Sequence, residues 1–182
     1  MRTVKGFSLL EMLIALAIGG ILLPGAARLI PMITLWASLG SQRLLLDDEL
    51  WQLATTLGKH LQRAGYCNGV CFGQALHLEL NCFVARWDVN HNGTWATTPT
   101  NQSGVFAFRL REGSLQTSRG NTQCDGGSWE RITDPQWVTL SGFVVSRVAQ
   151  QPATFAITLE GALRQHPQIS SAVTHHVTGY NL

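Results

Sequence analysis

From Phe7 to Ala27 the chain carries one charged residue, Glu11, and Arg2 and Lys5 set positive charge just ahead of it. A helix needs about 20 apolar residues at ~1.5 Å rise to cross ~30 Å of hydrocarbon, so this run has the length of a membrane span. Because Lys and Arg are retained on the cytoplasmic side, the span directs the rest of the chain outward. A secretory signal peptide is the competing reading. It predicts a shorter apolar region followed by an A-x-A-like site, whereas here the polar-to-apolar junction stands at Gly6-Phe7, ahead of the run. Pro24-Gly25-Ala26-Ala27-Arg28 is the nearest approach to such a site. The pattern predicts an apolar segment that is kept.

Glu11 sharpens this. An acidic residue at bilayer depth costs ~2.5 kcal/mol or more, and such residues are usually paired and functional. Two readings fit its position: a carboxylate with an assigned cationic partner, or one near the helix end reaching the headgroups.

Lys5-Gly6-Phe7-Ser8-Leu9-Leu10-Glu11, continued by Met12-Leu13-Ile14-Ala15-Leu16-Ala17-Ile18-Gly19-Gly20-Ile21-Leu22-Leu23, resembles the class III leader and first helix of type IV pilins and type II secretion pseudopilins. Leu61-Gln62-Arg63-Ala64-Gly65-Tyr66 and the cysteine-containing remainder are similar to the W/J-type minor pilins. The resemblance implies cleavage by prepilin peptidase between Gly6 and Phe7, methylation of the new amine on Phe7, and assembly into a helical fibre. It further implies partners among other minor pilins or pseudopilins and the major pilin. After the cut, Glu11 lies one helical turn from the Phe7 ammonium, on the same face. In the fibre, as the family implies, the carboxylate meets a neighbour's amine. Retention of Glu11 implies a place just beneath the fibre tip, where a subunit helps to initiate or prime assembly. A J-type pseudopilin of a secretion system is the alternative within the class; a membrane-tethered module that binds envelope glycan is the alternative outside it.

The net charge of +2 comes from scattered Lys and Arg that form no basic stripe, so no nucleic-acid footprint is present. Charged residues make up 13% of the chain, well below the ~25% of ordinary globular domains, and Thr, Ser, Asn, Gln and Gly are plentiful. Such a surface belongs outside the cytosol. Four cysteines, Cys67, Cys71, Cys82 and Cys124, agree with an oxidising compartment and allow three connectivities. Zinc is the rival use, but no paired C-x2-C knuckle is present. The short Cys67-Asn68-Gly69-Val70-Cys71 loop points to one bridge, leaving Cys82 with Cys124.

The expected organisation is a leader over residues 1–6, a long helix over 7–66 with its membrane segment at about 7–27, and a β-rich periplasmic domain over 67–182. Pro24 and Pro31, with Gly19, Gly20 and Gly25, mark a stretch prone to bend. From Ser41 the pattern is amphipathic: Leu46, Leu50, Leu53, Leu57, Leu61 and Ala64 recur at intervals of three and four. Gly65 offers the stop. Beyond Cys71 the period becomes two, with Leu76, Leu78 and Leu80 opposite His77 and Glu79, and with Phe106, Phe108 and Leu110 together. Further strands are expected at 82–87, 115–118, 128–133, 137–148, 154–159 and 172–178. One long helix followed by strands predicts an α+β, type IV pilin-like fold with the helix on an antiparallel β-sheet.

Asp88-Val89-Asn90-His91-Asn92-Gly93 has oxygen ligands at alternate positions and a glycine, the opening of a calcium loop, but Pro99 stands where the bidentate acid belongs. A type I′ hairpin turn on Asn92-Gly93 accounts for Asp88, Asn90 and Asn92 without a metal and is the favoured reading, so no cofactor is expected. An enzyme is not expected either. No G-x-S-x-G elbow is present, and His175 and His176 on a strand face opposite ways. His60, His77, His91 and His166 have no carboxylate partner at an evident spacing. The tryptophans Trp36, Trp51, Trp87, Trp95, Trp129 and Trp137 fit core packing or interface burial.

Overall fold

A computed structural model describes residues 6, 8–96 and 103–182. The chain forms two compact units, Met1–Gln42 and Arg43–Leu182. Helix α1, Leu9–Arg63, begins in the first and ends in the second. Strands β1 to β8 follow at Leu76–Glu79, Cys82–Arg86, Val105–Arg111, Ser114–Arg119, Glu130–Arg131, Val138–Ala149, Thr154–Leu163 and Ser170–Thr178.

Among the described residues the first unit is helical from Leu9 onward. The helix runs unbroken through Pro24 and Pro31. Its large apolar side chains, among them Leu9, Leu16, Ile21, Leu23 and Ile33, are exposed, and the helix is long and apolar enough to cross a membrane. The few hydroxyls in this part are satisfied by the helix itself: Thr34 Oγ1 donates to Pro31 O at 2.9 Å and Ser38 Oγ to Leu35 O at 2.8 Å.

In the second unit the leucine stripe becomes core. Leu46, Leu50, Leu57, Leu61 and Ala64 are wholly buried, in one cluster with Phe83, Phe143, Phe155, Ile157 and Leu159 from the strands. The stripe works because three- and four-residue steps return side chains to one helical face. Gly65 ends the helix at φ 87, where its N–H donates to Arg86 O at 2.8 Å and a Cβ would stand 2.1 Å from Asn181 O. That left-handed geometry and that clearance both require glycine.

The sheet is divided in two: β1-β2-β3-β4-β5 in sequence order, and β6-β7-β8, all antiparallel. The β3–β4 hairpin closes on Glu112-Gly113, at φ 52 and 73, the type I′ arrangement. Strand β3 is buried on both faces. Phe108 joins the main core, while Val105 and Ala107 pack with Cys82, Val84 and Cys124 in a second cluster. The cover over that outer face is the segment after β4, held by Arg109, whose guanidinium lies 4.0 Å above the Trp129 ring and whose Nη1 donates to Cys124 O at 3.1 Å. Leu80 falls in the β1–β2 turn and is 83% exposed, so it leaves the face that Leu76 and Leu78 share.

Candidate functional site

The amino-terminal motif is built on the first turn of α1. Phe7 lies outside the described residues, as does the leader apart from Gly6. Ser8 N–H donates to Glu11 Oε2 at 3.0 Å, and Leu10 N–H donates to Ser8 Oγ at 3.2 Å. Ser8-Leu9-Leu10-Glu11 is thus a capping box, two side chains satisfying amide donors that the first turn cannot bond internally. The S-x-x-E spacing was its signal in the sequence. Glu11 also sets negative charge at the positive end of the helix dipole. Chemically the site is an oriented carboxylate one turn from residue 7, at the head of an exposed apolar helix.

Each remaining candidate residue has a definite place in the second unit. Cys67 is bonded to Cys71 and Cys82 to Cys124. The second bond ties β2 to the segment covering β3. Asp88 is buried, and its carboxylate is the hub of its loop: Oδ1 accepts Asn92 N–H at 3.1 Å, and Oδ2 accepts Gly93 N–H at 2.8 Å and Asn68 N–H at 3.2 Å. Burial pushes its pKa up, but the three amide donors, helped by nearby His91, outweigh that and hold it below the ordinary carboxylate value. Asn92 Oδ1 accepts from Thr94 N–H at 3.0 Å and Thr94 Oγ1 at 2.7 Å. Backbone and hydroxyl donors thus reach both Asp88 oxygens and Asn92 Oδ1.

The type I′ reading of Asn92-Gly93 does not hold. Gly93 has φ 75, but among the described residues between β2 and β3 the other positive φ is at His91, not at Asn92. The loop is shaped by a carboxylate collecting two amides from its own loop and one from distant Asn68, which local dipeptide statistics do not register. Pro99 is outside the described residues.

The histidines also differ from expectation. His77 Nε2 lies 2.6 Å from Glu79 Oε1, because residues two apart on a strand share a face. His91 Nδ1 is 3.0 Å from the Tyr66 hydroxyl. His60 stands among Trp87, Phe106 and Phe108, with ring centroids at 5.1, 5.0 and 4.7 Å, and its Nδ1 is buried without a hydrogen-bond partner among the described residues. Burial, then the charges of Arg63 and Arg119, lower its pKa from 6.5 to about 4, so it is neutral at pH 7. His175 faces α1, and His176 is exposed on the other side of β8. Trp87 stacks on Phe106 at 4.0 Å, Trp95 Nε1 donates to Tyr66 O at 3.1 Å, and Trp129 Nε1 donates to Gly126 O at 2.6 Å. Among the described residues no group of three His, Cys, Asp or Glu side chains is arranged to hold a metal.

Residues 1–23 match the prokaryotic N-terminal methylation motif, and residues 40–179 match the family model described as prepilin peptidase-dependent protein B. The chain is 40% identical over 182 residues to prepilin peptidase-dependent protein B of Escherichia coli (strain K12), covering 98% of this chain and 97% of that protein. The chain belongs to the prepilin peptidase-dependent protein B family. As a member it is pilin-like: α+β, with one long apolar N-terminal helix and antiparallel sheets against the helix's second half. In that setting the exposed apolar helix of the first unit is a single-pass membrane anchor. No solved structure matches the chain.

Proposed function

We propose that the chain is a minor pilin precursor, cut by prepilin peptidase between Gly6 and Phe7, methylated on the Phe7 amine and incorporated near the tip of a type IV pilus, where it helps to prime assembly. The observation that carries this reading is the methylation-motif match over residues 1–23, joined to a helix whose first turn presents an oriented Glu11 carboxylate. The name of the Escherichia coli relative supports the peptidase as the processing enzyme. Residues 1–6 would be the leader, the long helix would hold the subunit in the inner membrane and later in the fibre core, and residues 67–182 would lie in the periplasm and select neighbours.

The chemistry is charge pairing. Cleavage creates an ammonium on Phe7 within one turn of Glu11, and in the fibre that carboxylate meets the amine of an adjacent subunit. Stranding either charge in an apolar layer costs ~3–5 kcal/mol, enough to set the axial register of the subunit. Its output is binding energy and not catalysis.

Mass spectrometry of the amino terminus decides the first half. With the peptidase present the mature chain should begin at N-methylated Phe7; recovery of Met1, or of a chain cut beyond Ala27, would sink the proposal. For the second half, Glu11→Ala should be processed normally yet be depleted at least ~tenfold from sheared fibres, since a lost pair of this kind exceeds 1.4 kcal/mol. Wild-type recovery in fibres would refute the role of Glu11.

A further inference from the structure

Among the described residues, strand β1 is the outer strand of the five-stranded sheet and bonds to β2 alone. Leu76 opposes Ala85 and Leu78 opposes Phe83, while Ala75 O accepts Arg86 N–H at 2.8 Å. In an antiparallel ladder, bonded and non-bonded pairs alternate, so Ala75, His77 and Glu79 turn their backbone groups toward β2. Leu76 and Leu78 turn N–H and C=O outward, a row of open donors and acceptors spaced two residues apart. Their side chains are half-buried against the main core, and His77 and Glu79 occupy the opposite face, tied to each other.

Alongside this edge runs a groove of about 390 Å³ lined by Leu76, Leu78, Arg147, Phe155 and Leu182 among others. Its lining includes the cationic side chain of Arg147. The Arg147 guanidinium lies 5.2 Å from the Phe155 ring centre, and its hydrogen bond is to neutral Gln150 at 3.4 Å. Arg86 Nη1 lies 3.3 Å from the point a Cβ on Gly73 would occupy, close to the start of β1. Among the described residues the ion pairs are His77–Glu79 and Arg131–Glu112, so neither Arg86 nor Arg147 meets a carboxylate.

We propose that the β1 edge binds an extended, acidic segment of a partner protein as an added strand. Only an extended chain presents donors and acceptors at the two-residue interval that Leu76 and Leu78 leave open. Its inward side chains would continue the apolar layer beside Leu76, Leu78 and Leu182, and a carboxylate would meet Arg147. The proposal goes beyond the pilin reading and does not depend on it, since the edge is present whether or not the leader is cut.

The test uses the full chain in detergent micelles and a fluorescein-labelled, end-capped peptide, Glu-Val-Thr-Val-Glu, followed by fluorescence anisotropy. Saturable binding is expected, weakened about tenfold or more when alternate peptide amides are N-methylated and when Arg147→Glu is introduced. The Lys-Val-Thr-Val-Lys peptide should bind Arg147→Glu better than the wild type. Leu78→Pro removes an outward N–H while sparing the β1–β2 ladder and should abolish binding, whereas Leu78→Ala, which loses the same core contact but keeps that N–H, should still bind. Equal binding of the N-methylated peptide, absence of saturation, or a concentration-dependent dimer that Leu78→Pro disrupts would each overturn the assignment.

Discussion

The His175 ring on β8 comes within 3.0 Å of the point where a Cβ on Gly58 of α1 would stand. Helix and sheet meet here through the absence of a side chain, and Trp51, two turns earlier on the helix, has its ring centroid 6.1 Å from that of His175. Gly58→Val should therefore destabilise the second unit by ~1–3 kcal/mol through overpacking. Adding His175→Ala should recover part of that loss. Denaturant unfolding of the two single variants and the double variant reads the coupling, and strictly additive effects would show that the two residues do not interact.

His60 supplies a pH signature. Its folded-state pKa, about 4, lies below the unfolded value of 6.5, so the unfolded chain binds more protons between these limits. The stability it contributes is full above pH 6.5 and is lost as pH falls toward 4. The groups around it are Arg63 on its own helix, Arg119 on β4, and the rings of Trp87, Phe106 and Phe108. The unfolding midpoint should fall over that interval in the wild type, and His60→Gln should flatten the slope there; an unchanged slope would contradict a buried neutral imidazole.

Asp88 acts in a lower window. Its carboxylate is held below the unfolded value of 3.8, so its contribution is present above that pH and disappears as pH drops below it. Asp88→Ala should lower the melting temperature at pH 7, because the amides of Asn68, Asn92 and Gly93 lose their acceptor, and should remove the steep acid limb below pH 3.8. Millimolar calcium should leave both proteins unchanged in differential scanning fluorimetry. Calcium stabilisation lost in Asp88→Ala would revive the metal-loop reading.

The two disulfides should differ in worth. Chain-entropy reasoning gives ~4 kcal/mol for Cys82–Cys124, at a separation of 42, and ~2 kcal/mol for Cys67–Cys71, at a separation of 4. The paired serine replacements, compared by denaturant unfolding, should rank in that order. A larger loss from the short loop would mean that native-state packing outweighs loop closure.

Much of this architecture was legible locally. Leu46 through Ala64 announced the buried face of α1 because helical periodicity is a property of neighbours in sequence, and all eight strands overlap stretches with strand character. The hairpin turn was harder. Asn92-Gly93 carries the stronger dipeptide signal, yet the I′ turn forms at Glu112-Gly113, where β3 and β4 pair in a register that places those two residues at the apex. Glu112 takes an unfavoured φ because ladder bonds and core burial on both sides of the turn outweigh the local cost.

Primary structure alone fixes the one-dimensional part: a membrane-length apolar run, a single acid four residues after Phe7, a leucine stripe and an even set of cysteines. Each depends on spacing along the chain, which is fixed covalently. The division into two sheets, the amides collected by Asp88, the enclosure of His60 among three rings and the open edge of β1 were decided only by tertiary structure. They join residues far apart in sequence, and which partners meet depends on how the strands register and pack on the helix.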